Sequence, residues 1–446
     1  MILSLENKVF LKKMRKITPS IVLQEVLNAL VNILSTIMIG RAMGIHEIAA
    51  VGISNQIFLA YSITMAGIVS GCSVFIGQYN GKGDKQSIFK VMGIGFVSTI
   101  VATLAFFIAM QFIPHLIIGL FASDYIVIQL GSSFMRVVSV SYFLFVIVFL
   151  RNGAMRSIGN TKIPMITTAI ALLFSFVFHY IFIFVINVPL YMVATVPIIA
   201  RTAEILVQEY FIRKYKISIG TSFKNYFNFD ISYVKKFYKV SIFIVFNMFT
   251  RSVAVSGYMM AYGLLGTEAQ GAVQISNAMI QLLQIVAASV GITTGIVISN
   301  TLGAGQRDLA IKYAKKCLIL GFLFTVMLCI IFIITSPFII SFYLLEPQVE
   351  AYVQNILIIA SFGMILRTIN FTNIGGILRG GGDTKFCFWL TLSSTLFLGL
   401  PLTFAGAILW DMQVHWVVAL VYIEEFYKAV LGLRRVFTNK WANKIV

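Results

Sequence analysis

Glu25, Asn28, Asn32 and Ser35 follow one another at spacings of three, four and three. At about 100° per residue on a helix, such spacings gather side chains within an arc of roughly 80°. An acid in that strip is a candidate proton site, because a carboxyl group in apolar surroundings takes up protons more readily. Its neighbours supply oxygen atoms beside it, so Glu25, Asn32 and Ser35 form the expected ion-coupling set. Other polar strips recur further along the chain: Asn247, Arg251, Tyr258 and Tyr262; Gln274, Asn277, Gln281 and Gln284; Arg367, Asn370 and Asn373. Asn247, Arg251, Tyr258, Asn277, Gln281, Gln284, Arg367 and Asn370 are the expected lining of a substrate cavity. Enzymatic chemistry finds no support. His46, His115, His179 and His415 are scattered, with no nucleophile and base brought together by spacing. Gly81-Lys82-Gly83 and Gly303-Ala304-Gly305 do not match GxxxxGK[ST], so no nucleotide phosphate loop is expected. Cys72, Cys317, Cys329 and Cys387 form no CxxC pair and have no histidine at metal spacing, so neither a disulfide framework, a metal nor a cofactor is expected.

The elements that carry these residues must be membrane spans. Of the 446 residues, 59% are hydrophobic and 11% charged, too few polar groups to cover a water-soluble surface. A helix needs about 20 apolar residues to cross roughly 30 Å of hydrocarbon. Twelve such runs fall near 17–39, 48–76, 88–113, 126–150, 163–187, 190–212, 240–262, 270–298, 314–336, 349–376, 386–410 and 414–433. The expected fold is an all-α polytopic membrane protein of twelve transmembrane helices in two parallel six-helix repeats forming two lobes. The basic, then apolar N-terminal stretch is too long for a signal peptide and lacks a clear cleavage site, so it is expected to remain as helix 1.

The net charge of +18 raises a nucleic-acid partner, but the placement of the charges gives a simpler cause. With the N-terminus in the cytoplasm, every Lys and Arg outside the spans except Arg41 falls on the cytoplasmic side. Arg136, Arg201, Arg251, Arg367 and Lys428 lie within spans. The positive-inside rule accounts for the excess, excludes nucleic acid as the expected partner and puts both termini in the cytoplasm.

The chain also repeats itself. An offset of 222 aligns Ala50–Asn55 with Ala272–Asn277 and Gly81-Lys82-Gly83 with Gly303-Ala304-Gly305. An offset of 223 aligns Arg156–Lys162 with Arg379–Lys385, and one of 221 aligns Glu204 with Glu425. Six helices per repeat return the chain to its starting side, so the two halves share one orientation. The expected domains are an N-terminal lobe over 1–212, a basic cytoplasmic linker over 213–239 with an amphipathic stretch on the lipid surface, and a C-terminal lobe over 240–446.

Charges within spans need partners or water. Arg251 and Arg367 lie twelve residues from Lys239 and Arg379, about 18 Å along a helix, and call for a water-filled cavity or an ion pair. They would favour an anionic or zwitterionic substrate, or neutralise an acid of helix 12. Glu25 is the only acid in the first five spans, and its alternative role is a structural pair with Arg136 or another buried cation. Arg201 with Glu204 and Glu424 with Lys428 have the spacing of local helical pairs.

The runs Asn55–Phe58, Ile76–Asp84, Arg156–Lys162 and Leu302–Gly305 resemble the multidrug and toxic compound extrusion (MATE) family. So do Tyr262-Gly263 with Gly266–Ala269, the stretch Leu378–Lys385, and the ending from Glu424 through Lys428 to Trp441. The resemblance covers nearly the whole chain. It implies two lobes in a V, rocking between inward- and outward-open states to export organic solutes or drugs in exchange for H⁺ or Na⁺. The family's coupling acids do not carry over. Ser35 stands where many members have an acid before the Thr36-x-Met38-x-Gly40 segment, Met248 follows Asn247 where many have Glu, and Thr368 adjoins Arg367 where some have an acid. Either Glu25 has taken over coupling or the coupling differs from the family norm. The expected protein is a monomer of the plasma membrane with a small-molecule substrate. A flippase for lipid-linked precursors and a non-transporting receptor are the competing readings.

Overall fold

The computed structural model describes residues 5–122, 124–217, 219, 230–343 and 345–446. The side chain of Asn32, and the centre of the expected linker with Gly220 and Lys224, lie outside the described residues. Lys235, Lys236 and Lys239, also assigned to that linker, stand on the first turns of a long helix, Ile231–Gly263.

Twelve helical segments long enough to span a bilayer follow one another, and no strand occurs among the described residues. The first six are α1 (Leu5–Ala42), α2 (Ile45–Lys82), α3 (Lys85–Phe112), α4 (Tyr125–Val138 with Ser141–Ser157), α5 (Lys162–Tyr180) and α6 (Val196–Lys214). The second six are α7 (Ile231–Gly263), α8 (Thr267–Gly303), α9 (Arg307–Ile340), α10 (Pro347–Asn370), α11 (Thr384–Ser394) and α12 (Val414–Phe437). Wide π turns extend α5 over Ile181–Val185 and α10 over Phe371–Leu378, and another leads α11 through Thr395–Gly399 to Leu400–Ile408.

Ten helices are individually long and apolar enough to cross a membrane, and the bent α4 brings the number to eleven. The remaining one, α12, carries Glu424, Glu425 and Lys428 in its middle, which lowers its apolar character without shortening it. Large apolar side chains such as Ile334 and Phe338 of α9 are 72% and 68% exposed. That is the expected arrangement where the solvent is hydrocarbon.

The fourth span is not the continuous helix expected over 126–150; its two limbs meet at 52°. Hydroxyl groups explain the break. Ser139 Oγ donates to the Arg136 carbonyl at 3.0 Å and Ser141 Oγ to the Val138 carbonyl at 2.6 Å, while Gln111 Nε2 also donates to the Arg136 carbonyl at 2.8 Å. Side chains thus take acceptors that a continuous helix would give to its own amides.

Residues Pro19–Asn80 and Asp84–Lys239 form one compact unit. Val240–Val446, with Gly81–Gly83 and the N-terminal stretch through Thr18, form the other. The repeat is visible in the turns. Gly83 and Gly305 adopt φ of 81° and 77°, and Gly159 and Gly382 both adopt 82°. Behind each glycine the next amide reaches back to close the helix: Asp84 to the Tyr79 carbonyl and Gln306 to that of Thr301, then Asn160 to Met155 and Asp383 to Leu378. Left-handed helix ends of this kind are where glycine is favoured.

Within the C-terminal unit, α8 packs against the π turns after α10 through small residues. A Cβ on Gly291 would meet the Phe371 carbonyl oxygen at 2.5 Å, and one on Gly376 would meet Thr294 Cβ at 2.7 Å. Such close backbone approach is a common way for helices to associate in lipid. Gly291→Val should therefore destabilise the protein by about 1–3 kcal/mol through overpacking. A thermal melt of the detergent-solubilised variant checks this, and an unchanged midpoint would contradict the close packing.

Candidate functional site

In the N-terminal unit α1, α4, α5 and α6 are joined by a chain of polar contacts. Glu25 Oε1 pairs with Arg156 Nη2 at 2.7 Å, and Gln24 Oε1 accepts from Arg156 Nε at 2.9 Å. Gln24 Nε2 donates to Thr168 Oγ1 at 3.0 Å, and Thr168 in turn donates to Glu204 Oε1 at 3.2 Å. The chain ends where Arg201 Nη1 meets Glu204 Oε2 at 2.6 Å. Glu25 thus has a buried-cation partner, but that partner is Arg156. Arg136, the candidate named from sequence, is exposed on the first limb of α4, beyond the bend.

The C-terminal unit repeats part of this arrangement with an amide in place of the acid. Asn247 stands at the position of Glu25, Arg379 at that of Arg156 and Thr391 at that of Thr168, by the same offsets. Arg379 Nη2 donates to Asn247 Oδ1 at 3.3 Å, and Asn247 Nδ2 donates to Thr391 Oγ1 at 2.7 Å and the Cys387 carbonyl at 3.0 Å. Asn247 is therefore buried among partners instead of lining open space. Its recurrence at the Glu25 position marks the Glu25–Arg156 contact as part of the repeated scaffold.

A cavity of about 130 Å³ opens in the N-terminal unit between α1, α2, α4, α5 and α6. Phe58, Phe134, Tyr142 and Phe145 give it aromatic walls, and Asn28, Ser35, His179 and Arg201 bring polar groups to its surface. Ser35 Oγ is already engaged, donating to the Val31 carbonyl at 2.8 Å. The Arg201 guanidinium lies over the Phe145 ring at 5.4 Å.

A different polar centre lies in the C-terminal unit on α7, α10, α11 and α12. Lys428 Nζ bridges Glu424 Oε1 at 3.0 Å and Glu425 Oε1 at 2.9 Å. Glu424 also accepts from Thr395 at 2.9 Å and, through Oε2, from the Tyr258 hydroxyl in a short contact. Glu425 Oε2 accepts from Asn370 Nδ2 at 2.7 Å. The π turn that begins at Thr395 carries that hydroxyl to Glu424, in line with the frequent use of such turns at polar sites.

Arg367 lies over the Tyr422 ring at 5.2 Å and Arg251 over the Phe371 ring at 5.0 Å. Both lie within electrostatic reach of Glu424 and Glu425. Tyr258 and Asn370 thus reach this centre, while Arg251 is exposed on α7 and Arg367 half-buried on α10. Asn277 and Gln281 instead stand exposed on α8, with Gln284 half-buried; the contact of Asn277 Nδ2 is Met259 Sδ at 3.9 Å.

Sequence spacing found Glu424 with Lys428 but left Glu425 out. The pairing of Glu204 with Glu425 across the repeat was the available signal. Tyr142, Phe145 and His179 had none, because cavity walls come from helices far apart in sequence.

A family model described as MatE matches residues 20–181 and 241–405. The chain is 22% identical over 90% of its length to the uncharacterized transporter YisQ of Bacillus subtilis, covering 88% of that protein. It is 24% identical over 84% of its length to the probable multidrug resistance protein NorM of the same organism, covering 83% of it. A crystal structure of MATE in complex with MaL6 superposes with a TM-score of 0.87 at 14% identity, covering 96% of this chain and 97% of that one.

The scaffold role of Glu25 has a thermodynamic consequence. Arg156→Ala, which removes partners from both Gln24 and Glu25, should cost about 1–3 kcal/mol, whereas Glu25→Gln, which keeps an acceptor and is partly solvent-screened, should cost under about 1 kcal/mol. Paired denaturation curves test the order; a larger loss in Glu25→Gln would reverse it.

Proposed function

The chain belongs to the MATE family of membrane transporters, and from that premise we propose that it exports small organic solutes from the cytoplasm by alternating access, in exchange for H⁺. Both termini are then cytoplasmic and the bilayer is the plasma membrane. The observation that carries the coupling is the pair of carboxylates in the middle of a membrane helix, Glu424 buried and Glu425 partly buried, bridged by one lysine. Ionisable groups at such depth are costly, and they mark ion pathways and proton relays.

Protonation of Glu424 would weaken its hold on Lys428 and change what Tyr258 and Thr395 contact, altering how α7, α11 and α12 associate. A proton fits this role better than Na⁺. The Lys428 ammonium already occupies the space between the carboxylates, where a metal cation would be repelled. This reading gives coupling to Glu424 and Glu425 and assigns Glu25 to the scaffold together with Arg156. Ser35 becomes part of the cavity wall.

In proteoliposomes an imposed pH gradient should drive organic-solute flux. Glu424→Gln or Glu425→Gln should lower that flux about tenfold or more, equivalent to roughly 1.4 kcal/mol or more in barrier, while Glu25→Gln keeps most of it. Flux that follows only a Na⁺ gradient would overturn the assignment of H⁺. Flux under neither gradient, for any solute class, would favour a receptor.

A further inference from the structure

We propose that the cavity of the N-terminal unit is a binding site for small aromatic carboxylates, with Arg201 as the group that selects them. The inference rests on the transport reading for its place in a cycle, but its chemistry comes from the cavity wall. No Asp or Glu is among the lining residues. Arg201 does have a carboxylate partner, but Glu204 is fully buried and has both oxygens committed, one to Arg201 and one to Thr168. The ion pair therefore turns unused guanidinium N–H donors toward the cavity and hides its acceptors. The guanidinium is also held over the Phe145 ring.

The rest of the wall adds no further charge. Tyr142 lines the cavity, is 1% exposed, and its hydroxyl has no hydrogen-bond partner. Its ring cannot readily turn away, being stacked on Tyr61 at 4.6 Å and packed against Phe58 at 5.5 Å. The hydroxyl itself is closed off from the cavity space, so Tyr142 contributes its ring to the wall. Two other hydroxyls of the wall offer no competing donor, since Ser35 and Ser141 give their protons to the Val31 and Val138 carbonyls. His179 is held through Nδ1 against the Ser175 carbonyl at 2.7 Å, leaving Nε2 as its other ring nitrogen.

A carboxylate in this space meets a charged donor, and the ring attached to it meets Phe58, Phe134 and Phe145. An ammonium of the same size meets Arg201 with no carboxylate facing it. Discrimination by like-charge repulsion is as effective as attraction to the right ligand.

The probe is radiolabelled benzoate, with benzylammonium as the cation of matched size, measured by equilibrium binding to the purified full-length protein in nanodiscs. Benzoate should bind saturably and resist competition by benzylammonium. Arg201→Gln should weaken benzoate about tenfold or more, as expected for loss of a charge-assisted contact. Arg201→Lys, which keeps the charge and a partner for Glu204, guards against a variant that fails to fold and should retain part of the affinity. Benzoate binding unchanged in Arg201→Gln, in protein with the parent's size-exclusion profile, overturns the proposal. So does benzylammonium competing as well as benzoate itself. Gradient-driven flux of organic cations without any benzoate binding would refute this site and leave the transport reading intact. Benzoate binding in a protein that moves no solute would support the site and refute transport.

Discussion

Hydrocarbon offers no hydrogen bonds, and that constraint governs where the acids of the spans stand. In water Glu25, Glu204, Glu424 and Glu425 would each be solvated separately. Within spans they can persist as charges only beside Arg156, Arg201 or Lys428, at 2.6–3.0 Å. Because each pair ties side chains from different helices or from successive turns of one helix, the need to neutralise charge also fixes helix positions. Aromatic rings serve where carboxylates run short, as Phe371 and Tyr422 do for Arg251 and Arg367.

The repeat shows which of these solutions belong to the scaffold. Glu25 and Asn247 occupy equivalent places and face equivalent arginines, Arg156 and Arg379. The contact survives the change from acid to amide, so what it requires is an acceptor for a guanidinium, with charge as an addition. Glu204 and Glu425 are likewise equivalent but differ in surroundings. Glu204 lies behind Arg201, three residues before it and beside the cavity, whereas Glu425 shares Lys428 with Glu424. The same duplicated position thus serves an arginine that faces open space in one unit and an acidic pair in the other.

Much of the architecture was legible in the sequence because the bilayer sets a length and the repeat sets a register. The glycines at 83 and 305, and at 159 and 382, could be paired before their left-handed geometry was seen. Local pairs were legible for the same reason, since Arg201–Glu204 and Glu424–Lys428 need only the pitch of one helix. The partner of Glu25 was not, because choosing between Arg136 and Arg156 requires knowing that α4 bends between them. The bend itself depends on hydroxyls competing for carbonyls, a balance that apolar periodicity does not record. Tyr258 finds Glu424 across 166 residues, and no spacing rule reaches that far.

The two units consequently differ in the kind of group they expose. Around the N-terminal cavity the acids are withdrawn behind their partners, so the wall presents donors and aromatic faces. In the C-terminal unit acids and bases interlock around Lys428, where gain of one proton would leave a cation underpaired. A group that binds a ligand without changing its own charge suits recognition. A cluster whose balance tips with a single proton suits coupling. Under the proposed function, recognition and coupling fall to different copies of one fold and need no shared residue, in keeping with a chain that holds Ser35, Met248 and Thr368 at the family's usual acid positions.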